Sequence, residues 1–375
     1  MLLGIQNTPR DYAWGSTTAI PELLGTPVTG APQAELWLGA HPGSPARVVE
    51  RPERTLLDVV EGRLPFLLKV LAAGSPLSLQ AHPTPAQAEA GFAREEAAGV
   101  PVDAPHRNYK DAFHKPELIY ALSEPFRALC GFRSVERTRA VLAAVEQDPR
   151  IAPLLERLVD DSSLRGVFEW LITRGEGVDE LVAAVVEAAA DAEGPSWETV
   201  RLLAEHYPGD PGIAISLLVN TVSLRRGEVL YLPAGNIHAY LDGLGIELMA
   251  ASDNVLRGGL TPKHVDVPEL LEVLDFRPLP VPYLAPALPH PGVRVFRPDV
   301  PDFELTVVDS EALESGVELP LAGPAIALAV EGRVELEGGD AVLERGDAVF
   351  IAEQDTLRLA GEGLVFLAST RAALG

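Results

Sequence analysis

The fold is decided by residues 226–240, which read RGEVLYLPAGNIHAY. Gly227 permits a tight turn into a strand, because a residue without a Cβ adopts backbone conformations that other residues avoid. Pro233 and Gly235 then turn the chain at the end of that strand. His238 follows on the next strand, where its side chain is expected to point inward. The stretch therefore predicts two strands of a β-barrel and one inward-facing histidine.

Three further side chains that bind metals stand in distant segments. Gln80 and His82 lie in SLQAHP, and Glu117 lies in HKPE. A spacing of two on a strand puts the side chains of Gln80 and His82 on one face, so both can reach one ion. With His238 they offer one amide oxygen, one carboxylate and two imidazoles, a set that suits a borderline divalent cation with an open position for substrate. We therefore predict one zinc ion per chain, bound by these four residues.

The spacing of Gly227, Pro233, Gly235 and His238 resembles the second motif of the cupin superfamily, whose members are small double-sheet β-barrels. The first cupin motif usually supplies two histidines two residues apart, and here that position reads QAH at residues 80–82. Each segment alone is a weak indication, because a lone histidine in a β core is more often hydrogen-bonded than metal-bound. The metal hypothesis therefore depends on the three segments in combination.

The bulk composition excludes some classes of partner. The chain has 375 residues and 47% hydrophobic content, which suggests roughly two or three domains. The formal net charge is −24 and the pI about 4.7. Nucleic acids and anionic membranes are therefore not expected as partners, because both attract basic surfaces. An anionic substrate would need a locally basic pocket within this acidic chain.

Cysteine usage and hydropathy predict the cellular setting. Cys130 is the only cysteine, so an intramolecular disulfide is excluded and a reducing compartment is favoured. The first ten residues, MLLGIQNTPR, lack the basic and apolar regions of a signal peptide. No apolar run approaches the roughly 18–20 residues of a membrane span. We expect a cytoplasmic protein, with a monomer as its oligomeric state.

The N-terminal third of the chain predicts short strands and one helix. Apolar runs at 65–71 and 77–82, bounded by glycine, serine and proline, indicate strands. Thr84 is expected to cap a helix that extends to about Ala98, with Pro85 at the first helical position.

The pattern changes twice in the remainder of the chain. Between 134 and 220, apolar residues recur at helical spacing and Pro and Gly separate several short helices. Strand patterns return from Ser223. A short helix is expected near 268–274, a proline-rich linker at 278–291, and a final β region in which 331–337 alternates apolar and polar residues.

These patterns predict a mainly β protein with an α-helical insertion. We expect two cupin-like β-barrel (jelly-roll) domains plus a helical domain. Residues 1–133 and 207–262 are assigned to a discontinuous catalytic, metal-binding cupin domain, and 134–206 to the helical insertion. Residues 263–375 are assigned to a C-terminal cupin-like β domain without a metal site, for which the sequence indicates no chemistry.

An internal similarity supports two related barrels. Residues 345–351, which read RGDAVFI, resemble residues 226–232, which read RGEVLYL. His238 lies eleven residues after the glycine of the first copy, and Leu357 lies eleven residues after the glycine of the second. The C-terminal copy is thus predicted to repeat the strand and turn without the ligand. A chance match over seven residues is the alternative.

Several longer runs resemble one enzyme family, the type I mannose-6-phosphate isomerases, which are zinc-dependent cupins. The runs are IQN (5–7), WG (14–15), ELWLGAHP (35–42), LKVL (68–71), PLSLQAHP (76–83), HKPE (114–117), HAYL (238–241) and MAASDNVLRGGLTPK (249–263). The last run is long and unusual, which makes the resemblance specific.

The resemblance implies interconversion of mannose 6-phosphate and fructose 6-phosphate through a cis-enediol, with zinc as the electrophile. It places the zinc ligands at Gln80, His82, Glu117 and His238 and a catalytic arginine at Arg257. The chain departs from the family near that arginine, where it reads LRGG in place of the expected VRAG. Neither change affects the guanidinium. Carbohydrate metabolism and the biosynthesis of GDP-mannose are the implied settings.

Aldose–ketose isomerisation needs a base, an electrophile and a group that holds the phosphate. Zinc polarises sugar oxygens without proton transfer, and Arg257 supplies a second, permanent positive charge. The sequence does not identify the base. Six candidates stand in or beside the family-like runs: Lys69, Lys115, His41, Tyr240, Glu247 and Asp253.

Lysine usage gives an independent indication of the pocket. The chain has four lysines, and its other 26 basic residues are arginine, 30 in total. Arginine replaces lysine easily on a surface and poorly at a tightly packed site. We predict that Lys69 and Lys115 line the pocket and contact the phosphate or sugar together with Ser78 and Arg257. Lys110 and Lys263 are expected to be structural or peripheral, and a compositional bias towards arginine is the alternative explanation.

Three rival functions are consistent with the residues. The chain could be another metal-dependent cupin that isomerises a different sugar phosphate, or an iron dioxygenase. Dioxygenases more often have two histidines where this chain has Gln80 and His82. A non-catalytic cupin that binds a sugar phosphate is the third reading, and retention of Arg257 argues against it.

Overall fold

The computed structural model describes residues 1–337 and 339–371. Within them the protein is mainly β, the strands pair in antiparallel fashion, and the helices concentrate in the middle of the chain. The prediction of a mainly β fold is confirmed.

Twenty strands and ten α-helices lie in the described residues. The strands are β1 (Leu2–Gln6), β2 (Glu35–Leu38), β3 (Arg47–Val48), β4 (Arg51–Thr55), β5 (Phe66–Ala73), β6 (Gln80–Ala81), β7 (Glu117–Ala121), β8 (Phe126–Phe132), β9 (Val219–Leu224), β10 (Val229–Leu232), β11 (His238–Ala250), β12 (Leu256–Arg257), β13 (Ala287–His290), β14 (Val293–Phe296), β15 (Glu304–Asp309), β16 (Val317–Pro320), β17 (Ala325–Leu336), β18 (Ala341–Glu344), β19 (Ala348–Ile351) and β20 (Thr356–Ser369). The helices are α1 (Ala19–Leu24), α2 (Pro85–Ala97), α3 (Val135–Leu142), α4 (Ala152–Arg157), α5 (Leu164–Ile172), α6 (Val178–Ala188), α7 (Pro195–His206), α8 (Gly212–Ser216), α9 (Val267–Val273) and α10 (Ser310–Leu313).

The first sheet carries the candidate site and is organised around β11. Its main path runs β10-β7-β11-β5-β2, and β6, β8, β9 and β12 join at one side. The first part of β11 pairs with β6 and β8, whereas Gly243 onward pairs with β5. A bulge between Tyr240 and Asp242 separates the two parts. One long strand therefore links the two halves of this sheet.

The second sheet unites the two ends of the chain. Its path runs β13-β14-β15-β20-β17-β19-β1-β3-β4, so the N-terminal strand β1 pairs with β19. The edge strands β4 and β13 contain Pro52 and Pro289, and proline has no N–H with which another strand could pair. The assignment of residues 1–133 to one domain stays a prediction.

The two sheets share one apolar core. Every residue of β5 is buried, including Lys69, which explains the nearly continuous apolar run of this strand. One cluster of buried side chains joins Val70 and Ile246 of the first sheet to Phe350 and Phe366 of the second. Full burial of such side chains stabilises the fold by about 1.5–3 kcal/mol each, so this shared core holds the two sheets together.

The helical predictions agree with the structure in detail at α2. Thr84 precedes the helix and its hydroxyl accepts a hydrogen bond from the Gln87 N–H at 3.3 Å. Pro85 occupies the first helical position, where its missing N–H costs nothing. Helices α3 to α8 occupy the predicted region, and α9 lies near the expected 268–274.

Three predicted boundaries were wrong. The run 77–82 forms a strand only over β6, because Leu77 and Leu79 donate backbone hydrogen bonds to the irregular partners Tyr240 and Gly259. Strand β9 begins at Val219, before Ser223. The proline-rich linker contains the exposed strand β13.

The turns before β10 and β19 share their local geometry, as the sequence similarity predicts. Gly227 and Gly346 have φ of 92° and 94°, in the left-handed region that favours glycine. In each turn the next residue's carboxylate accepts a backbone N–H from three residues earlier, at 2.9 Å in both cases. Leu357 is fully buried among apolar side chains. The C-terminal copy therefore has packing where the first copy has His238.

None of the helices in the described residues combines the length and the apolar character that a membrane crossing requires.

Candidate active site

Three strand ends bring distant residues together at one point of the first sheet. Glu117 is the first residue of β7, His238 is the first residue of β11, and His82 directly follows β6. Gln80 of β6 pairs with His238 on one side and with Arg257 of β12 on the other. Antiparallel pairing thus places segments that are far apart in sequence side by side.

The four predicted metal ligands form one compact cluster. Glu117 Oε1 lies 3.3 Å from His82 Nε2, and Glu117 Oε2 lies 3.5 Å from His238 Nε2. Gln80 Nε2 lies 3.3 Å from His238 Nε2, and a half-turn of that amide would present its oxygen instead. The ligand atoms of His82, Glu117 and His238 all lie within 4.8 Å of one another.

The donor set of the cluster fits a metal ion. His82 Nε2 and Glu117 Oε2 are buried and have no hydrogen-bond partner in the described residues, which is costly unless something else binds them. His82 Nδ1 and His238 Nδ1 each donate to a backbone carbonyl, of Asn254 at 2.8 Å and of Asn236 at 2.9 Å. The Nδ1–H of each ring is thereby committed to a carbonyl, and Nε2 of each ring faces the cluster.

The pKa shifts of His82 and Glu117 agree with a role as metal ligands. Burial, assisted by the charge of Lys115, lowers the pKa of His82 to about 4. Burial opposes ionisation of Glu117, yet Lys115 and His82 hold its pKa well below its usual range. Neutral imidazoles and an ionised carboxylate are the forms that bind a metal at neutral pH.

A cavity of about 550 Å³ lies beside the cluster, with Gln80 and Glu117 in its wall. Its other lining residues include Tyr12, Trp14, Glu35, Trp37, Lys69, Ser78, Asn108, Lys110, Lys115, Tyr240, Glu247, Asp253, Arg257, Thr261 and Lys263. His82 and His238 are enclosed behind this wall. A cavity of this volume is typical of a small-molecule site, and polar and charged side chains make up much of its wall.

All four lysines of the chain line this cavity. Six basic and four acidic residues are found in its wall, although the chain as a whole carries a net charge of −24. The cavity is therefore a locally basic site in an acidic protein, which is what an anionic substrate requires.

Two of the lysines are neutralised by buried carboxylates. Lys69 Nζ lies 2.9 Å from Glu247 Oε2 and 3.5 Å from Glu35 Oε1, and the ring of Trp37 lies beneath it. Lys115 Nζ forms an ion pair with Glu117. These contacts make both lysines part of the wall rather than free anion-binding groups.

Three other cations in the wall have no carboxylate partner among the described residues. They are Arg257, Lys110 and Lys263, whose side chains form neither an ion pair nor a hydrogen bond there. Burial, together with the charges of Arg257 and Lys110, lowers the pKa of Lys263. Lys110 and Lys263, which we expected to be structural or peripheral, line the cavity, because the loops before β7 and after β12 turn them towards it.

Glu247 faces the cavity because of the bulge in β11. We expected a turn at Asp242 and Gly243 to bring Glu247 to the face of His238, but β11 continues through both residues. The bulge after Tyr240 shifts the alternation instead. Lys69 is then the direct cross-strand neighbour of Glu247.

The environment of Glu247 suits a general base. Its side chain is buried, with a relative exposure of 3%. Burial raises its pKa, although Lys69 acts in the opposite direction. A carboxylate whose pKa is moved towards neutrality accepts a proton more readily than an ordinary one.

The structure distinguishes Glu247 from three other candidates for the general base, Lys69, Tyr240 and His41. Burial favours the neutral amine of Lys69, but Glu247 and Glu35 prevail and raise its pKa, so this group stays protonated. Burial raises the pKa of Tyr240 well above its usual value. His41 packs against Trp37 behind the cavity wall and lies 3.4 Å from Asp253. Lys69 and Tyr240 therefore line the cavity in forms that do not accept a proton readily, and His41 is not in its wall. Lys115 and Asp253, the remaining candidates, also line the cavity.

Glu35 and Trp37 are among the cavity residues that the sequence interpretation did not single out. Glu35 and Trp37 stand two apart on β2, so they face the same side, and Trp37 Nε1 donates to Glu35 Oε2 at 2.8 Å. Their position in the family-like run ELWLGAHP and their alternation on a strand were the available indications.

Comparisons with known proteins agree with this site. The family model of the phosphomannose isomerase type I catalytic domain matches residues 2–135. The mannose-6-phosphate isomerase of Escherichia coli is 40% identical over 373 residues, which cover 93% of this chain and 94% of the relative. The chain belongs to the mannose-6-phosphate isomerase family. The human member of this family is 33% identical, with coverage of 93% of each chain.

Solved structures of the family have the same fold. One is the Salmonella typhimurium mannose 6-phosphate isomerase bound to fructose 6-phosphate and zinc, with a TM-score of 0.90, 37% identity and coverage of 99% of both chains. A zinc-bound holo structure of a mannose 6-phosphate isomerase has the same TM-score, identity and coverage. The family predicted from the sequence is confirmed.

Proposed function

We propose that this protein interconverts mannose 6-phosphate and fructose 6-phosphate. The observation that carries the proposal is one cavity that unites a buried metal-ligand cluster, three unpaired cations and a buried carboxylate. Family membership supports the same reaction. These three features match the needs of an aldose–ketose isomerase for an electrophile, a phosphate site and a base.

His82, Glu117, His238 and Gln80 would hold one zinc ion. When bound, the metal supplies a positive charge that polarises the sugar oxygens at C1 and C2 without proton transfer. The residues around it keep the ligands ready, because the carbonyls of Asn254 and Asn236 orient the two imidazoles. Such outer contacts support metal affinity as well as ring orientation.

Arg257, Lys110 and Lys263 would bind the phosphate of the substrate. Arg257 stays protonated and offers a fork of N–H donors that matches phosphate oxygens. An incoming dianion relieves the mutual repulsion of the three cations. Arg257 was already proposed from the sequence as a phosphate-binding residue. Lys110 and Lys263 take the place of Lys69 and Lys115 in that role, because the charges of Lys69 and Lys115 are already paired with carboxylates. Ser78 remains a candidate for a hydroxyl contact.

Glu247 would transfer the proton between C2 and C1. Its carboxylate would accept the proton from C2 of the aldose, which leaves a cis-enediolate with its charge on O1. The hydroxyl proton then passes from O2 to O1, and Glu247 returns its proton to C1 to give the ketose. Lys69 stays protonated beside it and holds the carboxylate in place. Positioned general acid–base groups contribute about 10²–10⁴ in rate.

The proposed domain organisation agrees with the proposed function. We keep the assignment of two cupin-like jelly-roll barrels, and of residues 134–206, which contain α3 to α7, to a helical domain. The shared turn geometry before β10 and β19 supports a pair of related barrels. A monomer in the cytoplasm, without nucleic-acid partners, remains the expectation for the intact protein.

A coupled assay tests the proposed function directly. Purified protein with added zinc is expected to convert mannose 6-phosphate to fructose 6-phosphate, chelation is expected to stop turnover, and zinc is expected to restore it. Absence of fructose 6-phosphate with zinc present would refute the proposal. Binding of the sugar phosphate without turnover would instead support the non-catalytic reading.

Replacing Arg257 by alanine is expected to weaken phosphate recognition. A hydrogen bond to a charged group contributes about 1.5–3 kcal/mol, so kcat/KM for mannose 6-phosphate should fall by roughly 10- to 100-fold. Lys263→Ala should act in the same direction with a smaller effect. The measurement is steady-state kinetics together with inhibition by inorganic phosphate, which both variants should weaken.

The matched control for Arg257→Ala is Arg225→Ala, which removes an exposed arginine paired with Glu228. Its kinetics should equal those of the wild type. Unchanged inhibition by phosphate in Arg257→Ala would show that the phosphate is bound elsewhere.

A further inference from the structure

Asn254 is a buried amide whose side chain holds the loop before β7. Its relative exposure is 0%. Its Oδ1 accepts the backbone N–H of Lys110 at 2.7 Å and that of Asp111 at 3.3 Å. Its Nδ2 donates to the carbonyls of Asp111 and Phe113, both at 2.8 Å. A single side chain thus accepts hydrogen bonds from the N–H groups of this loop and donates hydrogen bonds to its carbonyl groups.

The backbone of Asn254 holds a metal ligand at the same time. Its carbonyl accepts the hydrogen bond from His82 Nδ1 at 2.8 Å, which directs His82 Nε2 to the cluster. The residue therefore contacts the metal centre through its main chain and the loop through its side chain. A displacement of Asn254 must therefore move both the His82 ring and the loop, because both are hydrogen-bonded to this one residue.

The two preceding residues strengthen the contact with the loop. Ser252 Oγ donates to Asp111 Oδ1 at 2.8 Å, and the Asp253 N–H donates to Asp111 Oδ2 at 2.9 Å. Residues 98–116 contain no helix or strand, so their backbone N–H and C=O groups do not take part in the regular hydrogen bonds of a helix or a sheet. Residues 110–113 of this loop are held by the hydrogen bonds from 252–254, whereas its preceding part is held by Glu95, Glu96 and Arg107.

The loop carries groups that the proposed reaction needs. Lys110 stands in it, and Lys115 and Glu117 stand at its end, where β7 begins. Full burial of an amide with every donor and acceptor used is typical of a residue that defines one conformation. Simple packing would be served equally well by an apolar side chain of similar size.

We propose that Asn254 is a positioning residue that couples the metal ligand His82 to the loop 110–113, so that the metal centre and Lys110 keep a fixed separation. The proposal rests on the proposed function for the role of Lys110. It assigns the specificity for phosphorylated sugars partly to this separation, because a ligand must span the metal and the cations at once.

The test is the variant Asn254→Asp, which keeps the size and the acceptor oxygen. A carboxylate oxygen then faces the two carbonyls to which Nδ2 donated, so the loop contact is lost. We expect the zinc dissociation constant, measured by competition with a chelating dye, to rise by about 10- to 100-fold, as for other groups that support metal ligands. The KM for mannose 6-phosphate at saturating zinc is expected to rise as well.

Asn220→Asp is the matched control. Asn220 is also buried, and its Nδ2 donates to the carbonyls of Gly131 at 2.9 Å and Cys130 at 3.1 Å. This variant should lower the thermal midpoint in a similar way and leave the zinc dissociation constant and KM unchanged. If Asn254→Asp behaves like this control, the residue is merely structural and the proposal is overturned.

Ser252→Ala keeps the test decisive if Asn254→Asp does not fold. It removes the hydroxyl that donates to Asp111 and accepts the backbone N–H of Asn254, and it should raise the zinc dissociation constant and KM in the same direction. Normal values for both in this variant would also overturn the proposal. Failure of the wild type to isomerise mannose 6-phosphate would refute the function alone, because the zinc measurement needs no turnover.

Discussion

Replacing Glu117 by glutamine is expected to cause a severe loss of both zinc binding and isomerisation. The variant keeps the shape of the side chain but removes the only carboxylate of the metal cluster, which lies between His82 and His238. Metal polarisation of the substrate oxygens contributes several kcal/mol to the transition state, so kcat/KM should fall by roughly 10³-fold. Lys115 also loses its buried ion-pair partner.

Metal content and activity must be measured together for Glu117→Gln. Activity at increasing zinc separates a weaker metal site, which excess zinc rescues in part, from a loss of chemistry. Glu228→Gln is the control, because Glu228 pairs with Arg225 in a turn away from the cavity. A Glu117→Gln variant with full activity and stoichiometric zinc would contradict the assigned metal centre.

Replacing Glu247 by glutamine is expected to stop proton transfer while zinc stays bound. The loss of a positioned general base should reduce kcat by about 10²–10⁴. Because burial raises the pKa of Glu247 and the base must be ionised, wild-type activity should decline as the pH falls through that raised pKa. Exchange of the C2 hydrogen of mannose 6-phosphate with deuterated solvent should disappear in the variant.

Glu35→Gln is the informative comparison for Glu247. Both carboxylates contact Lys69, at 3.5 Å for Glu35 and 2.9 Å for Glu247. If Glu247 served only as an ion-pair partner, the two variants would lose activity to a similar extent. We expect Glu35→Gln to retain solvent exchange at C2, and equal losses in the two variants would refute the role of Glu247 as the base.

The metal centre was accessible from the sequence because its ligands are tied to local geometry. Gln80 and His82 share a strand face through their spacing, and His238 follows a turn that Gly227 makes recognisable. The N-cap at Thr84 was predictable for the same reason. In each case the physical cause acts within a few residues, where spacing alone determines which side chains share a face.

The pairing of charges was not accessible in this way. Lys69 and Lys115 are as polar as Lys110 and Lys263 in the sequence, yet among the described residues only the first two have carboxylate partners in the cavity. The partners of Lys69 come from other strands, whereas the partner of Lys115 lies two residues away along the chain. The rarity of lysine indicated a common site, but it did not separate structural lysines from free ones.

The side of the sheet that Glu247 faces and the proposed role of Asn254 also depend on contacts between residues that are distant in sequence. A bulge in β11, which no spacing rule announces, brings Glu247 beside Lys69. Asn254 holds a loop more than a hundred residues away in sequence.

The sequence by itself determined the family, the mainly β fold and the candidate metal ligands, because these follow from short motifs and from strand and helix periodicity. Only the tertiary structure showed which cations in the cavity have no carboxylate partner among the described residues, which carboxylate is buried beside Lys69 and which hydrogen bonds hold residues 110–113. Those properties depend on burial and on the charges that distant segments bring within a few ångströms.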